Sequence, residues 1–205
     1  MLIKEEFLKK YNIAENEFRS ANISFKELEK IYSHYCSLEP ELRSISRDFL
    51  DQYLYDTERA GIHCYRLKDP GHLIEKIIRK RNESLESYWE INSSNYYKYL
   101  TDLIGIRVFF LYREDWRGFH EYITSQFENN PEIYVEDRLR DFDEDPNHWY
   151  IAERPKSYRR IGDSKIYDKN LIDIKSDGIY RSIHYIVKYK GYYVELQART
   201  LFEEG

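Results

Sequence analysis

The residue types that could do chemistry gather in two places. Ser182, His184, Glu195, Gln197 and Arg199 stand two residues apart on two alternating runs, 180–189 and 192–200, joined at Lys190-Gly191. Period-2 alternation on both sides of a short Gly-containing link predicts a β-hairpin. With Lys190 and Gly191 at the tip, Ile183 faces Ala198, Tyr185 faces Leu196 and Val187 faces Val194, which makes one apolar face. The other face pairs Ser182 with Arg199, His184 with Gln197 and Ile186 with Glu195. A slip of one residue would mix the two sets, so the register is well specified. The second face is either the wet side of an amphipathic hairpin or a polar working surface backed by an apolar one.

The second place lies upstream. Arg66 and Lys68 project the same way from a short extended segment that begins at His63. They come just before Pro70, which opens a helix reaching to about Trp89, and cations before a helix N-terminus suit a polyphosphate. Lys76 and Lys80 share one side of that helix, opposite the stripe Leu73, Ile74, Ile77 and Ile78. Asp102 stands at the mouth of a strand predicted over Ile104–Tyr112, where a carboxylate serves equally as a metal ligand or a turn cap. From Glu153 to Lys169 the chain is basic, with Tyr158 and Tyr167 interleaved. That pattern fits a phosphate or nucleic-acid surface, or a solvated loop.

These residues need elements to hold them. Ser24 is a candidate N-cap for a helix over Phe25–Ser37, with Glu27 in the capping-box position. Pro40 marks the first turn of a second helix, Glu39–Arg59, so residues 1–60 read as a helical segment containing a helical hairpin. The apolar run after Asp102 predicts a central strand covered on both sides, and Gly105 lets another backbone approach it. A helix over Glu114–Asn129, a strand over Pro131–Glu136, an acidic loop over Asp137–Asp145, a short strand over Leu171–Lys175 and a turn at Ser176–Gly178 complete the chain.

At 205 residues the chain can bury one good-sized core. A net charge of −5 argues against a general nucleic-acid coat but leaves room for a local phosphate pocket. Cys36 and Cys64 have no metal or redox spacing and read as reduced thiols. With no leader and no long apolar run, a cytoplasmic protein without a membrane partner is expected.

Three blocks now stand in order: Arg66, Lys68 and Lys76; then Asp102-Leu-Ile-Gly-Ile-Arg107; then Tyr180-Arg-Ser-Ile-His184 with Glu195-Leu-Gln-Ala-Arg-Thr200. Together they resemble the synthetase domain of the RelA/SpoT family, which includes small alarmone synthetases and related toxic synthetases. The resemblance covers residues 61–205. It implies an α+β fold, a mixed β-sheet of about five strands flanked by helices of the nucleotidyltransferase type. It also implies transfer of the β,γ-pyrophosphate of ATP to a ribose 3′-hydroxyl. Arg66, Lys68, Lys76 and Arg107 would bind ATP, and Asp102 and Glu195 would hold Mg²⁺. Glu195 would help activate the hydroxyl, supported by Gln197. Tyr180 would stack on the acceptor base, with His184, Lys175 and Arg199 completing the acceptor side. An in-line displacement at phosphorus needs just such cations, metal and positioned hydroxyl, and no Gly-rich phosphate loop is present to supply them otherwise.

The sequence departs from the family in places. Asp69 and His72 replace usual serines, Gly178-Ile-Tyr180 is one residue longer than the usual Gly-Tyr, and the segment between Arg107 and Tyr180 is long. The family continues into another helix where this chain reaches Gly205, so a truncated C-terminus is expected. GDP or GTP is the first acceptor expected, giving (p)ppGpp. The tRNA 3′ end is the alternative, favoured by the basic stretches 153–169 and Arg79–Arg81 and accompanied by an antitoxin or a C-terminal regulatory region. A catalytically degenerate nucleotide-binding module is the third.

Overall fold

A computed structural model describes residues 2–55, 62–83, 88–134, 143–160, 173–175 and 181–203. The N-terminal helices are α1 (Lys4–Lys10), α2 (Glu15–Ser20) and α3 (Phe25–Tyr53). Ser24 caps α3 as expected, its hydroxyl accepting from the Glu27 N–H at 3.1 Å. The expected break at Pro40 does not occur, and one 29-residue helix replaces the helical hairpin. The reason is the stripe Leu28, Ile31, Tyr35, Leu42, Ile45 and Phe49, which stays in phase across the proline and is buried throughout. An interior proline costs about 3 kcal/mol, less than burial of that stripe returns. Pro40 itself lies on the exposed side, where water can replace the lost hydrogen bond.

The sheet is mixed. Its strands are β1 (Ile62–Leu67), β2 (Ile104–Phe110), β3 (Tyr150–Ile151), β4 (Lys156–Tyr158), β5 (Asp173–Lys175), β6 (Ser182–Tyr189) and β7 (Tyr192–Thr200). They run in the order β1-β2-β7-β6-β4-β5, while β3 also pairs with β6. β3 and β4 occupy successive stretches of one edge of β6, which accounts for seven strands in place of about five. β7 is parallel to β2 and antiparallel to β6.

The hairpin register is the one the alternation predicts, Ile183 against Ala198 through Tyr189 against Tyr192. At its tip Lys190 and Gly191 both take positive φ, 48° and 84°, as a two-residue type I′ turn requires. The tip is tied to α3: Lys190 Nζ lies 2.6 Å from Asp48, and the Tyr189 hydroxyl lies 3.0 Å from the Gln52 side-chain oxygen. The Tyr192 hydroxyl reaches Glu41 at 3.3 Å.

The helices α4 (Pro70–Asn82) and α5 (Trp116–Gln126) join α3 in a core with the apolar face of the sheet. That face carries Ile104, Ile106, Val108, Ile183, Tyr185, Val194 and Leu196. The Trp116 indole N–H donates to the Tyr185 hydroxyl at 2.8 Å, fixing α5 on the sheet.

Several expected boundaries shift. α4 stops at Asn82, seven residues short of Trp89, and Arg81 in its last turn is buried. The guanidinium donates to the carbonyls of Ala21, Asn22, Tyr88 and Trp89 at 2.5–2.9 Å. β2 ends at Phe110 because Leu111 and Tyr112 turn out to solvent. α5 spans Trp116–Gln126, shorter than 114–129, since Glu128 already bridges to Tyr150 in the sheet. The strand expected from Pro131 is a 3-10 turn over Pro131–Ile133, capped by the Asn130 side chain, which accepts from the Glu132 N–H. The acidic loop up to residue 142, the turn 176–178 and Tyr180 lie outside the described residues, as does 161–169 of the basic stretch.

Candidate active site

Ladder pairing lines up the polar residues of five strands on one face. Arg66, Gly105, Glu195 and Ile186 form one row across β1, β2, β7 and β6. Cys64, Arg107, Gln197, His184 and Lys156 form the next; beyond it Phe109 pairs with Arg199, and Ser182 with Tyr158. Gly105 lies between Arg66 and Glu195, where an added Cβ would make ordinary van der Waals contact with Arg66 Cγ at 3.5 Å. This face is exposed along β1 at Cys64 and Arg66, while Ser182 and Gln197 are buried in it.

The expected partners of Glu195 are in place. Gln197 Nε2 donates to Glu195 Oε2 at 2.8 Å, and Gln197 Oε1 accepts from Arg199 Nη2 at 2.9 Å. His184 Nδ1 lies 3.3 Å from Glu195 Oε1, and its Nε2 lies 2.8 Å from the Ser182 hydroxyl. One continuous polar chain therefore runs Arg199–Gln197–Glu195–His184–Ser182. It exists because residues two apart on a strand share a face and the hairpin register brings His184 beside them.

The second cluster forms at the entry to α4. Lys68 extends the β1–β2 ladder, its N–H donating to the Leu103 carbonyl at 3.0 Å, and its own carbonyl accepts from the Tyr35 hydroxyl at 2.7 Å. Asp69 then caps α4 by accepting from the His72 N–H at 2.9 Å and also receives the Tyr11 hydroxyl. The departure at Asp69 thus has a structural job. Starting the helix there brings Lys76 back toward the strand mouth. Lys68 Nζ and Lys76 Nζ meet opposite oxygens of Asp102 at 2.7 and 2.9 Å, and all three side chains are at most 20% exposed.

Both carboxylates are held ionised. Burial pushes Asp102 up, but the ammonium groups of Lys76 and Lys68 more than offset it, and the net shift is downward. Burial likewise pushes Glu195 up. The hydrogen bond and charge of His184, with the Gln197 amide, win over burial and over the repulsive charge of Asp102, so Glu195 also titrates below its usual range. The Asp102 contribution places the two carboxylates within electrostatic reach of each other. No group of three or more metal-ligating side chains occurs among the described residues. Two ionised carboxylates nonetheless fit Mg²⁺, which takes oxygen ligands and commonly uses one or two carboxylates with water and substrate phosphates.

The remaining sequence-predicted residues are placed less fully. Arg107 lies between Cys64 and Gln197 in register. Lys175 pairs with Tyr158 at the outer edge of the sheet; its side chain, like Tyr180, is outside the described residues. Two residues gain a place that the sequence did not assign them. Lys156 stands across from His184 and is bonded to Glu153, and the Tyr158 ring lies 4.6 Å from the His184 imidazole. The alternation Lys156-Ser157-Tyr158, with Ser157 buried, was the available signal. Arg79–Arg81, in contrast, is not an open basic surface. Arg79 pairs with Glu75 and Glu83, Lys80 pairs with Glu83, and Arg81 is in the core.

No curated protein matches the chain by sequence. Among solved structures it is similar to small alarmone synthetase 1 from Bacillus subtilis bound to its product pppGpp, at 18% identity and a TM-score of 0.42, over 86% of this chain and 73% of that one. It is similar also to a GTP pyrophosphokinase family protein from Streptococcus pneumoniae, at 18% identity and a TM-score of 0.41, over 100% of this chain and 73% of that one. A family profile described as "Region found in RelA / SpoT proteins" matches residues 65–205, which holds every site residue above. On that match over more than half its length, the chain belongs to the RelA/SpoT family.

Proposed function

We propose that the chain transfers the β,γ-pyrophosphate of ATP to the ribose 3′-hydroxyl of GDP or GTP. The observation that carries this reading is the pairing of two ionised carboxylates, within electrostatic reach of each other, with two different sets of partners. Asp102 sits among lysines suited to a polyphosphate, and Glu195 sits in an amide and imidazole network suited to a hydroxyl.

Arg66, Lys68, Lys76 and Arg107 would hold the phosphates, since side chains must do what a Gly-rich loop does elsewhere. Asp102 and Glu195 would hold Mg²⁺, which when bound supplies neutralisation of the phosphate oxygens. The 3′-oxygen bonds to the β-phosphorus of ATP, the bond from that phosphorus to the α,β-bridging oxygen breaks, and AMP leaves with that oxygen. Glu195 Oε1 and Oε2 are the candidate acceptors of the hydroxyl proton. Held below its usual pKa, Glu195 is a weak base, so it orients the hydroxyl and takes the proton late, as a loose phosphoryl-transfer transition state permits. Gln197, fixed by Arg199, and His184, fixed by Ser182, keep that carboxylate in one orientation. Tyr180 is assigned to stacking on the acceptor base, with Lys175 and Lys156 on its phosphates. Such a reaction belongs in the cytoplasm, where its nucleotides are. No helix among the described residues is long and apolar enough to cross a membrane.

A tRNA 3′ end is the second acceptor, favoured by Tyr158 on the site face at the head of Arg159-Arg160. It would bring a neutralising partner with it. Incubation with ATP labelled at the γ-phosphate, Mg²⁺ and each acceptor in turn decides the matter. Label on GDP or GTP is expected; label on tRNA alone would favour the second reading, and label on neither would remove both.

A further inference from the structure

Asp102 is the carboxylate assigned to a divalent cation, yet each of its oxygens already faces an ammonium group. The two lysines are also the ones assigned to the polyphosphate. A dication brought to Asp102 alone would meet two like charges within a few ångströms, in a pocket too dry to screen them. A polyphosphate brought alone would draw the lysines away and leave Asp102 beside its negative oxygens. Only the two together keep the site balanced.

We infer that Lys68 and Lys76 are place-holders for the cation. Without nucleotide they occupy Asp102 and exclude a divalent ion. When the polyphosphate arrives they turn to its oxygens, and Asp102 passes to the ion that travels with the nucleotide. The residue type suits the exchange, because an ammonium on a flexible four-carbon stem can change partners, whereas a guanidinium fork holds its geometry. The backbone suits it as well. Lys68 is pinned by Leu103 and Tyr35, and Lys76 lies within α4, so only the side chains need move. Glu195 is held in its own network by His184 and Gln197 and takes no part in the exchange at Asp102. The cation is therefore bound as part of the nucleotide complex. This inference rests on the assignment of the polyphosphate to these lysines.

The test is Mn²⁺ binding, read from the loss of the free-ion paramagnetic resonance signal and therefore independent of turnover. The wild-type protein without nucleotide should show no Mn²⁺ site. The K68Q/K76Q double variant should gain one, a rise in Mn²⁺ affinity of about tenfold or more, because two like charges have been removed. Adding D102N to that variant should abolish the new site. Should the wild-type protein bind Mn²⁺ alone as tightly as the double variant does, and lose it on D102N, the place-holder role is wrong. A second measurement needs no variant: Mn²⁺ with a non-hydrolysable ATP analogue should bind the wild-type protein in calorimetry where Mn²⁺ alone does not. Failure of the analogue to bind, with the first result intact, would instead remove the polyphosphate assignment and the exchange with it.

Discussion

Replacing Glu195 by Gln separates the chemistry of this site from its architecture. The amide keeps the shape of the carboxylate: its oxygen can still accept from Gln197 Nε2, and its NH2 group donates to His184 Nδ1 once the imidazole carries its proton on Nε2. What changes is charge. A hydrogen bond to a charged acceptor contributes about 1.5–3 kcal/mol and one to a neutral acceptor about 0.5–1.5, so the folding cost is about 1 kcal/mol. The repulsion that Glu195 shares with Asp102 is relieved at the same time, which lowers that cost. Catalysis has no such compensation. A positioned proton acceptor is worth about 10²–10⁴-fold, and the same substitution removes half of the proposed cation site. The expected variant melts within a few degrees of the wild-type protein and loses at least about a thousandfold in transfer rate. Thermal denaturation and labelled-ATP turnover on the same preparation measure both quantities. Activity within tenfold of wild type would refute the role of Glu195. A variant that simply unfolds would refute the claim that its network survives loss of charge.

Further predictions address other parts of the molecule. Arg81→Met removes the guanidinium donors to the carbonyls of Ala21, Asn22, Tyr88 and Trp89 and should destabilise the fold by about 3–5 kcal/mol in chemical denaturation; a loss under about 1 kcal/mol would contradict its structural role. His148 is bonded to Glu128 and Asp143, and those bonds raise its pKa above the ordinary 6.5. Folding therefore binds a proton there, and the stability His148 contributes is complete below pH 6.5 and fades as pH rises through its folded value. His148→Gln should flatten that limb of the stability–pH profile, and an unchanged slope would exclude the ion pairs as its source. Tyr180→Ala should weaken acceptor binding by about 1–3 kcal/mol while Tyr180→Phe does not, as calorimetric titration with GDP will show.

What the sequence made legible depends on how many residues share one constraint. The hairpin register followed from two distinct faces at period 2, and any slip would have buried His184 or Glu195 among Ile and Val. The α3 helix was misjudged at Pro40 because a local rule was set against a stripe of side chains whose burial is a tertiary fact. Lys156 and Tyr158 were read as part of a basic stretch. A three-residue strand carries almost no period of its own, and only its pairing with β6 reveals which side chains meet His184. Asp102 stood out in the sequence as a carboxylate at a strand mouth, but its bond to Lys68, 34 residues away, depends on how Asp69 starts α4. The buried state of Arg81 was illegible for the same reason: its partners are carbonyls of α2's end and of residues 88–89, which no side-chain pattern announces.

The order of strands has a consequence for how the molecule comes into being. β7 is the last of the described strands, yet it fills the lane between β2 and β6, and its hairpin tip is fastened to residues of α3 about 140 positions earlier. Until β7 arrives, β2 presents an open apolar edge, and Glu195, Gln197 and Arg199 have no fellow residues to act with. Synthesis of this chain therefore passes through a long interval with a vulnerable, inert half-sheet. A product stopped before β7 lacks Glu195, Gln197 and Arg199 and keeps that edge open, which makes it a candidate for clearance.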